Sequence, residues 1–232
     1  KMRRGRKTVN AEWGNSASVL VGDFLHSRAF EMMVEIGDIH VMQILSRATN
    51  MIAEGEVQQL CCIRNPKTTE SEYLEIITRK TAKLFQAAAH SGAVLAHAEQ
   101  PTENALRDYG LHLGLSFQLI DDLLDYEGDA TMMGKNIGDD LAEGKMTLPV
   151  IDALRRCSKE DEIFISEAIT SGGAENLPQM ISVIKSTDAL TYTATLANSE
   201  RWQAIECLKH ITDSPYKSAL ENLINFVVDR QY

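Results

Sequence analysis

Apolar residues recur along this chain at three- and four-residue steps rather than in the alternation of a strand, so the pattern predicts helices from end to end. The first runs from Asn15 to about Ile36, with Val19, Leu20, Phe24, Phe30 and Met33 as its apolar stripe and Asp23, Arg28 and Glu31 between them. A second is expected from about Asp38 to Ile63 on Val41, Ile44, Leu45, Met51, Ile52 and Leu60. It stops at Asn65-Pro66, because a residue before proline is pushed out of the helical region. Met32, Met33, Met42 and Met51 read as one adaptable patch, either core or the lining of a cavity for a flexible apolar chain. Thr69 and Glu72 then form a capping box that opens a third helix, whose expected buried stripe is Tyr73, Ile76, Ile77, Leu84 and Ala88. Lys80 falls on that stripe, where its ammonium must either snorkel outward or meet an anion.

The central helix is expected after Pro101, from Glu103 to Tyr126, with Leu106, Tyr109, Leu113, Ile120 and Leu124 apolar. Gly110 and Gly114 precede Gln118 at four-residue steps. Glycine inside a helix costs stability, so the spacing predicts close approach by another helix or a ligand, and the stripe reads as the wall of a cleft. The helix ends in Phe117 to Asp125, FQLIDDLLD. Asp121 and Asp125 share a face one turn apart, Asp122 flanks them about 100° round the axis, and Gln118 joins the same polar edge. Carboxylates crowded like this repel one another unless a cation answers them, and hard ions such as Mg²⁺ take oxygen ligands of this kind. The plainer alternative is a solvated acidic helix end.

Glu127 to Thr147 follows, rich in glycine and carrying Lys135, Asp139, Asp140 and Lys145. Alternating ammonium and carboxylate groups after a metal-type cluster suit a metal–diphosphate complex; ordinary loop ion pairs are the alternative. A calcium EF-hand is excluded by Ala130 and Asn136, which stand where Gly and Glu are required, and the spacing of a P-loop is absent. Further helices are expected at Leu148 to Arg156, with Thr147 as cap and Pro149 in the first turn, then Lys159 to Thr170, Asn176 to His210 with breaks, and Tyr216 to Arg230.

Composition narrows the partners. The chain has 232 residues and a net charge of −10, with basic residues scattered, which argues against nucleic acid. A bound anion would need metal bridges and a few placed Lys or Arg residues. The four cysteines form no CxxC pair, and no apolar run approaches the ~20 residues of a transmembrane span, so a reduced, cytoplasmic protein with no transmembrane segment is expected. No linker or repeat divides the sequence. No HExxH or Glu-x-x-His pair points to a redox di-metal site, and no Ser, Cys or His nucleophile is apparent. The basic run Lys1 to Lys7 reads as a solvated terminus, and because position 1 is not Met the chain is expected to be part of a longer gene product.

Several stretches together resemble the trans-isoprenyl diphosphate synthase family, most closely its bacterial long-chain members of the octaprenyl kind. They are MRRG at Met2 to Gly5, GNSASVLVGDF at Gly14 to Phe24, AEGE at Ala53 to Glu56, KTAKLF at Lys80 to Phe85, GLSFQLIDDLLDY at Gly114 to Tyr126 and GKNIGDDLAEGKMTLP at Gly134 to Pro149. The resemblance implies an all-α, isoprenoid-synthase-type bundle around a central cavity, a single synthase domain over residues 1–232 and a homodimer. It implies Mg²⁺-dependent condensation of isopentenyl diphosphate with an allylic diphosphate such as farnesyl diphosphate. The product would be a long all-trans chain of octaprenyl length for a quinone side chain, with possible release at a membrane surface. By position, Asp121, Asp122 and Asp125 would be the second aspartate-rich motif and hold metal, Asp121 most directly. Lys80, Thr81, Gln118 and Lys135 would hold the allylic diphosphate, with Lys145 assisting. Arg3 would serve the allylic side and Arg4 the isopentenyl side; Lys80, Gln118, Asp121, Asp122 and Lys135 form the expected catalytic set. The family's first aspartate-rich motif and its preceding helices lie upstream of MRRG, so this chain is expected to hold half of the metal site and to be inactive alone. Met146 stands where proline is commoner. The product chain is expected to enter a pocket lined partly by the Asn15 to Met51 helices, and enlarging a cavity-facing residue near Phe30 to Met33 is expected to shorten the product. A non-catalytic regulatory subunit of a heteromeric synthase is the alternative; a terpene cyclase is disfavoured by KTAKLF and GKNIGDDLAEGK.

Overall fold

The computed structural model describes residues 2–3, 6–127, 138–172 and 176–230, with side chains from Arg6 onward. A short hairpin, β1 (Met2–Arg3) antiparallel to β2 (Arg6–Lys7), leads into α1 (Val9–Ile36), where the Thr8 side chain accepts from the Ala11 amide. Gly37 ends α1 at φ 74°, a left-handed cap that glycine adopts without strain. Asp38 then caps α2 (Ile39–Cys62) by accepting from the His40 and Val41 amides. The capping box of Thr69 and Glu72 opens α3 (Glu70–Ile77) as expected. Beyond a π-helical turn at Thr78–Ala82, α4 (Lys83–Leu95) leads to the long α5 (Gln100–Glu127). The remaining helices are α6 (Asp139–Ala142), α7 (Leu148–Arg156), α8 (Lys159–Ser171), α9 (Leu177–Ser186), α10 (Ala189–Leu208) and α11 (Pro215–Asp229). The all-α architecture matches the sequence expectation, and no helix among the described residues is long and apolar enough to cross a membrane.

Helix α5 is the axis of the fold and packs chiefly on α4 and α10. Around its C-terminal half, Leu119, Ile120 and Tyr126 meet Leu148 and Val150 of α7, Ile165 of α8 and Ile184 of α9 in one core. Around its N-terminal half, Tyr109 and Leu113 meet Leu208, Ile224 and Val227, and the Tyr109 hydroxyl donates to the Leu220 carbonyl at 2.9 Å. A buried phenol needs such a partner, and this one ties α11 to the axis.

The π turn corrects the expected stripe of the third helix. Tyr73, Ile76 and Ile77 are buried as the pattern requires, but Leu84 and Ala88 are exposed, and Ala82, Ala87 and Ser91 are buried instead. A π turn takes one more residue than an α turn, which advances every later side chain by about 100° round the axis. The Met-rich patch also dissolves: Met33 is buried, Met42 and Met51 are half-buried and Met32 is exposed. Along α1, Met33 of the expected stripe is buried, whereas Val19, Leu20 and Phe24 are each more than half exposed among the described residues.

Gly110 and Gly114 do mark a close approach, although not to an open cleft. A Cβ on Gly110 would lie 2.6 Å from the Phe85 carbonyl oxygen, and one on Gly114 would lie 2.5 Å from the Ala82 Cα. Both glycines therefore press α5 backbone-to-backbone on the π turn and α4. Gly114→Ala should cost about 1–3 kcal/mol in urea unfolding through overpacking. Gly92→Ala, where an added Cβ meets nothing within 4 Å, should be neutral or stabilising by about 0.5–1 kcal/mol. Equal stabilities for the two variants would contradict this placement.

Candidate diphosphate and metal site

The close contact at Gly114 brings Thr81 of the π turn against α5. Its hydroxyl donates to Gln118 Oε1 at 2.9 Å, and Gln118 Nε2 donates to Asp122 Oδ1 at 2.8 Å. Tyr73 of α3 completes the chain, its hydroxyl donating to Asp122 Oδ2 at 2.6 Å. Both oxygens of Asp122 are thus engaged inside the core. Burial pushes the Asp122 carboxyl up to about 7, and the charges of Asp140 and Asp121 add to that; the hydrogen bonds from Tyr73 and Gln118 pull the other way. The Tyr73 phenol is raised as well, first by burial and then by the neighbouring Asp122 charge.

Asp121 and Asp125 do not share an environment, which corrects the reading of one common polar face. The Asp121 side chain is 42% exposed, with Arg230 Nη2 3.8 Å from its Oδ1. Asp125 is fully buried. The difference lies along the helix axis rather than around it: one turn beyond Asp121 the returning chain covers α5. The Gly138 amide donates to the Asp125 carbonyl at 2.8 Å, and the Asp140 amide donates to Asp125 Oδ2 at 3.2 Å. Asp125 therefore seats the start of α6.

The basic residues are placed as follows. Lys145 pairs with Asp140 at 2.7 Å and with Glu143 at 2.8 Å. Burial opposes its charge, but these hydrogen bonds outweigh it and leave the ammonium pKa raised. Lys80, in the π turn, directs its ammonium to Gln59 and to Glu56, the latter at 3.1 Å, so it faces α2 and not the aspartates. Arg4 and Lys135 lie outside the described residues, as does the side chain of Arg3.

Two residues of the site escaped the sequence reading. Tyr73 belongs to the expected buried stripe, but a phenol on an apolar stripe announces a polar partner. Arg230 follows α11, donates to the Phe117 carbonyl at 3.2 Å and lies over the Phe117 ring at 4.3 Å from its centroid. No local pattern signals it, since its partners lie more than a hundred residues earlier in the chain.

The donor set is all oxygen, with one carboxylate open to solvent and two behind it. Oxygen donors of this kind fit a hard divalent ion better than a soft one. Asp121 is the carboxylate open to solvent, and Asp122 is held by Gln118 and Tyr73 beside it.

The polyprenyl synthetase family model matches residues 1–185. Octaprenyl diphosphate synthase of Haemophilus influenzae is 44% identical over 232 residues, covering 100% of this chain and 70% of that protein. All-trans-nonaprenyl-diphosphate synthase (geranyl-diphosphate specific) of Rhodobacter capsulatus is also 44% identical, over 99% of this chain and 70% of its own length. Among solved structures, a polyprenyl synthase of Caulobacter crescentus, complexed with calcium and isoprenyl diphosphate, superposes with a TM-score of 0.94. It is 43% identical, with 99% of this chain and 71% of that one covered. This family uses divalent metal. With the fold, the oxygen-donor helix end and near end-to-end identity in agreement, this chain belongs to the polyprenyl synthetase family.

Proposed function

We propose that this chain, as a single domain, serves a Mg²⁺-dependent trans-polyprenyl diphosphate synthase that joins isopentenyl diphosphate to an allylic diphosphate such as farnesyl diphosphate, giving a long all-trans product. The observation that carries the reading is the chain Thr81–Gln118–Asp122–Tyr73, which holds Asp121 open at the end of α5. No observation favours a non-catalytic subunit. Supply of a quinone side chain, cytoplasmic location and product release at a membrane surface are parts of the same proposal and rest on the family resemblance.

In the proposed step the allylic C–O bond breaks and diphosphate leaves with its electron pair. The isopentenyl double bond attacks the allylic carbon, a C–C bond forms, and a proton passes to the released diphosphate. Mg²⁺, when bound, supplies charge stabilisation to the departing oxygens. Asp121 is placed to hold it, and the buried carboxylates and Gln118 keep that residue in position. Lys80 is within one turn of Thr81 and would trade Glu56 and Gln59 for a diphosphate oxygen; Lys135, Lys145, Arg3 and Arg4 are the further cations assigned to diphosphate. Preorganised charges of this kind matter most where water is excluded, because water would also quench the allylic cation.

The apolar residues of α1 support a homodimer, since Val19, Leu20 and Phe24 are each more than half exposed among the described residues. Product length is assigned to side chains near Phe30 to Met33. Relatives of equal identity bear names for different product lengths, so overall similarity does not set it.

Three measurements test these assignments. In the full-length protein, Asp121→Ala combined with Lys80→Ala should lower isopentenyl incorporation by roughly 10²–10³ or more while the helical circular dichroism is kept; an unchanged rate would refute the site. Phe24→Glu should shift the sedimenting species from dimer to monomer, and a persistent dimer would place the interface elsewhere. Phe30→Trp should shorten the product seen by chromatography, and identical lengths would remove α1 from the pocket floor.

A further inference from the structure

The other end of α5 carries a different group of ligands. Glu103 lies in its first turn, His90 is near the end of α4, and His40 is in the first turn of α2. His90 Nε2 is 2.8 Å from Glu103 Oε1, and both side chains are about five-sixths buried, at 15% and 16% exposed. The His40 and His90 rings meet edge to face with centroids 5.6 Å apart. One ligand atom from each of the three residues lies within 4.8 Å of the others. Eighteen residues separate Glu103 from Asp121 on the same helix, about 27 Å of rise, so this cluster is distinct from the diphosphate end.

A buried His–Glu pair alone would be an ordinary helix tie. Two further features exceed that. A second imidazole, His40, meets the His90 ring edge to face from a third helix. A cavity of about 240 Å³, bordered by His40 and His90 with Ile44, Ala48 and Met51, adjoins the cluster and leaves room for water on a bound ion. Imidazole nitrogen suits Zn²⁺, Co²⁺ or Ni²⁺ and is a poor donor for Mg²⁺, so the two ends of α5 select different ions.

We propose that His40, His90 and Glu103 bind one borderline transition-metal ion of the Zn²⁺ class, with water in the remaining positions, and thereby clamp α2, α4 and α5 together. The exposed His40 ring closes the last distance by a side-chain rotation, because Zn–N bonds of about 2.0–2.1 Å place two ligand atoms of one ion no more than about 4.2 Å apart. Arg47 and Lys83 also border the cavity. Their charges oppose a second cation, so the Glu103 carboxylate is indispensable to the site, and the pair limits affinity to a level suited to reversible occupancy.

The test uses full-length protein freed of metal with a chelator and then saturated with Mg²⁺, so that the aspartate end is occupied throughout. Titration with Co²⁺ should show one equivalent per chain, with visible d–d bands of nitrogen coordination, and Zn²⁺ should displace it. His40→Ala, at an exposed position, should keep the fold and the basal Mg²⁺-dependent transfer rate while weakening Co²⁺ binding roughly 100-fold; Glu103→Gln should do the same to binding. Absence of the bands, or affinity unchanged in both variants, would overturn the proposal. This readout does not depend on prenyl transfer, so its failure and a failure of the proposed synthase activity remain distinguishable.

Discussion

Backbone contact between α5 and the π turn is the constraint on which the site depends. At Gly114, and at Gly110 where α5 continues onto α4, there is no space for a Cβ, and the segments meet through main-chain atoms. Only at that separation can the short Thr81 side chain reach Gln118, and only then does Gln118 lie directed at Asp122. The π turn contributes the other half of the geometry. By adding one residue it turns Thr81 towards α5 while leaving Lys80 on the α2 side, where Glu56 and Gln59 meet it. π turns inside α-helices are frequent at functional sites, and this one separates the Thr81 hydroxyl from the Lys80 ammonium.

The electrostatics follow from where the carboxylates are put. Burying Asp122 and Asp125 is costly unless hydrogen bonds answer them, and the donors come from three separate elements: Tyr73 of α3, Gln118 of α5 and the amide of Asp140 in α6. These donors fix the end of α5 but do not neutralise it. Asp140, paired with Lys145, still contributes negative charge to Asp122, and Asp121 remains at the surface beside Arg230. A partly exposed ion pair at 3.8 Å is weak, so Arg230 restrains Asp121 loosely and can yield to a stronger cation.

Much of this was legible in the sequence, for identifiable reasons. Capping residues are local, so Thr69 with Glu72 marks a helix start from the chain alone. The glycine spacing in α5 announced close approach because a helix tolerates such residues only for a packing reason. What stayed hidden was non-local. A π turn has no residue code that separates TRKTA from ordinary helix, and without it Leu84 and Ala88 were assigned to the wrong face. The division between Asp121 and Asp125 depends on a segment returning from fifteen residues away, and Arg230 on one returning from more than a hundred. The α1 stripe shows the converse limit: periodicity states that a face seeks cover and is silent on what supplies it.

Helix α5 joins two sites that ask for opposite chemistry. At its C-terminal end the carboxylates stand where the helix dipole is also negative, so the backbone adds to the demand for a cation and favours a strongly hydrated, hard ion held by oxygen. At its N-terminal end the dipole is positive and already stabilises Glu103 as an anion; its hydrogen bond to His90 lowers the carboxyl pKa further, against the opposing effect of burial. A cation there gains less from the backbone and must be held by coordinate bonds, which is what imidazole provides and carboxylates alone would not. On the two proposals together, the length and polarity of α5 would keep two kinds of metal chemistry apart.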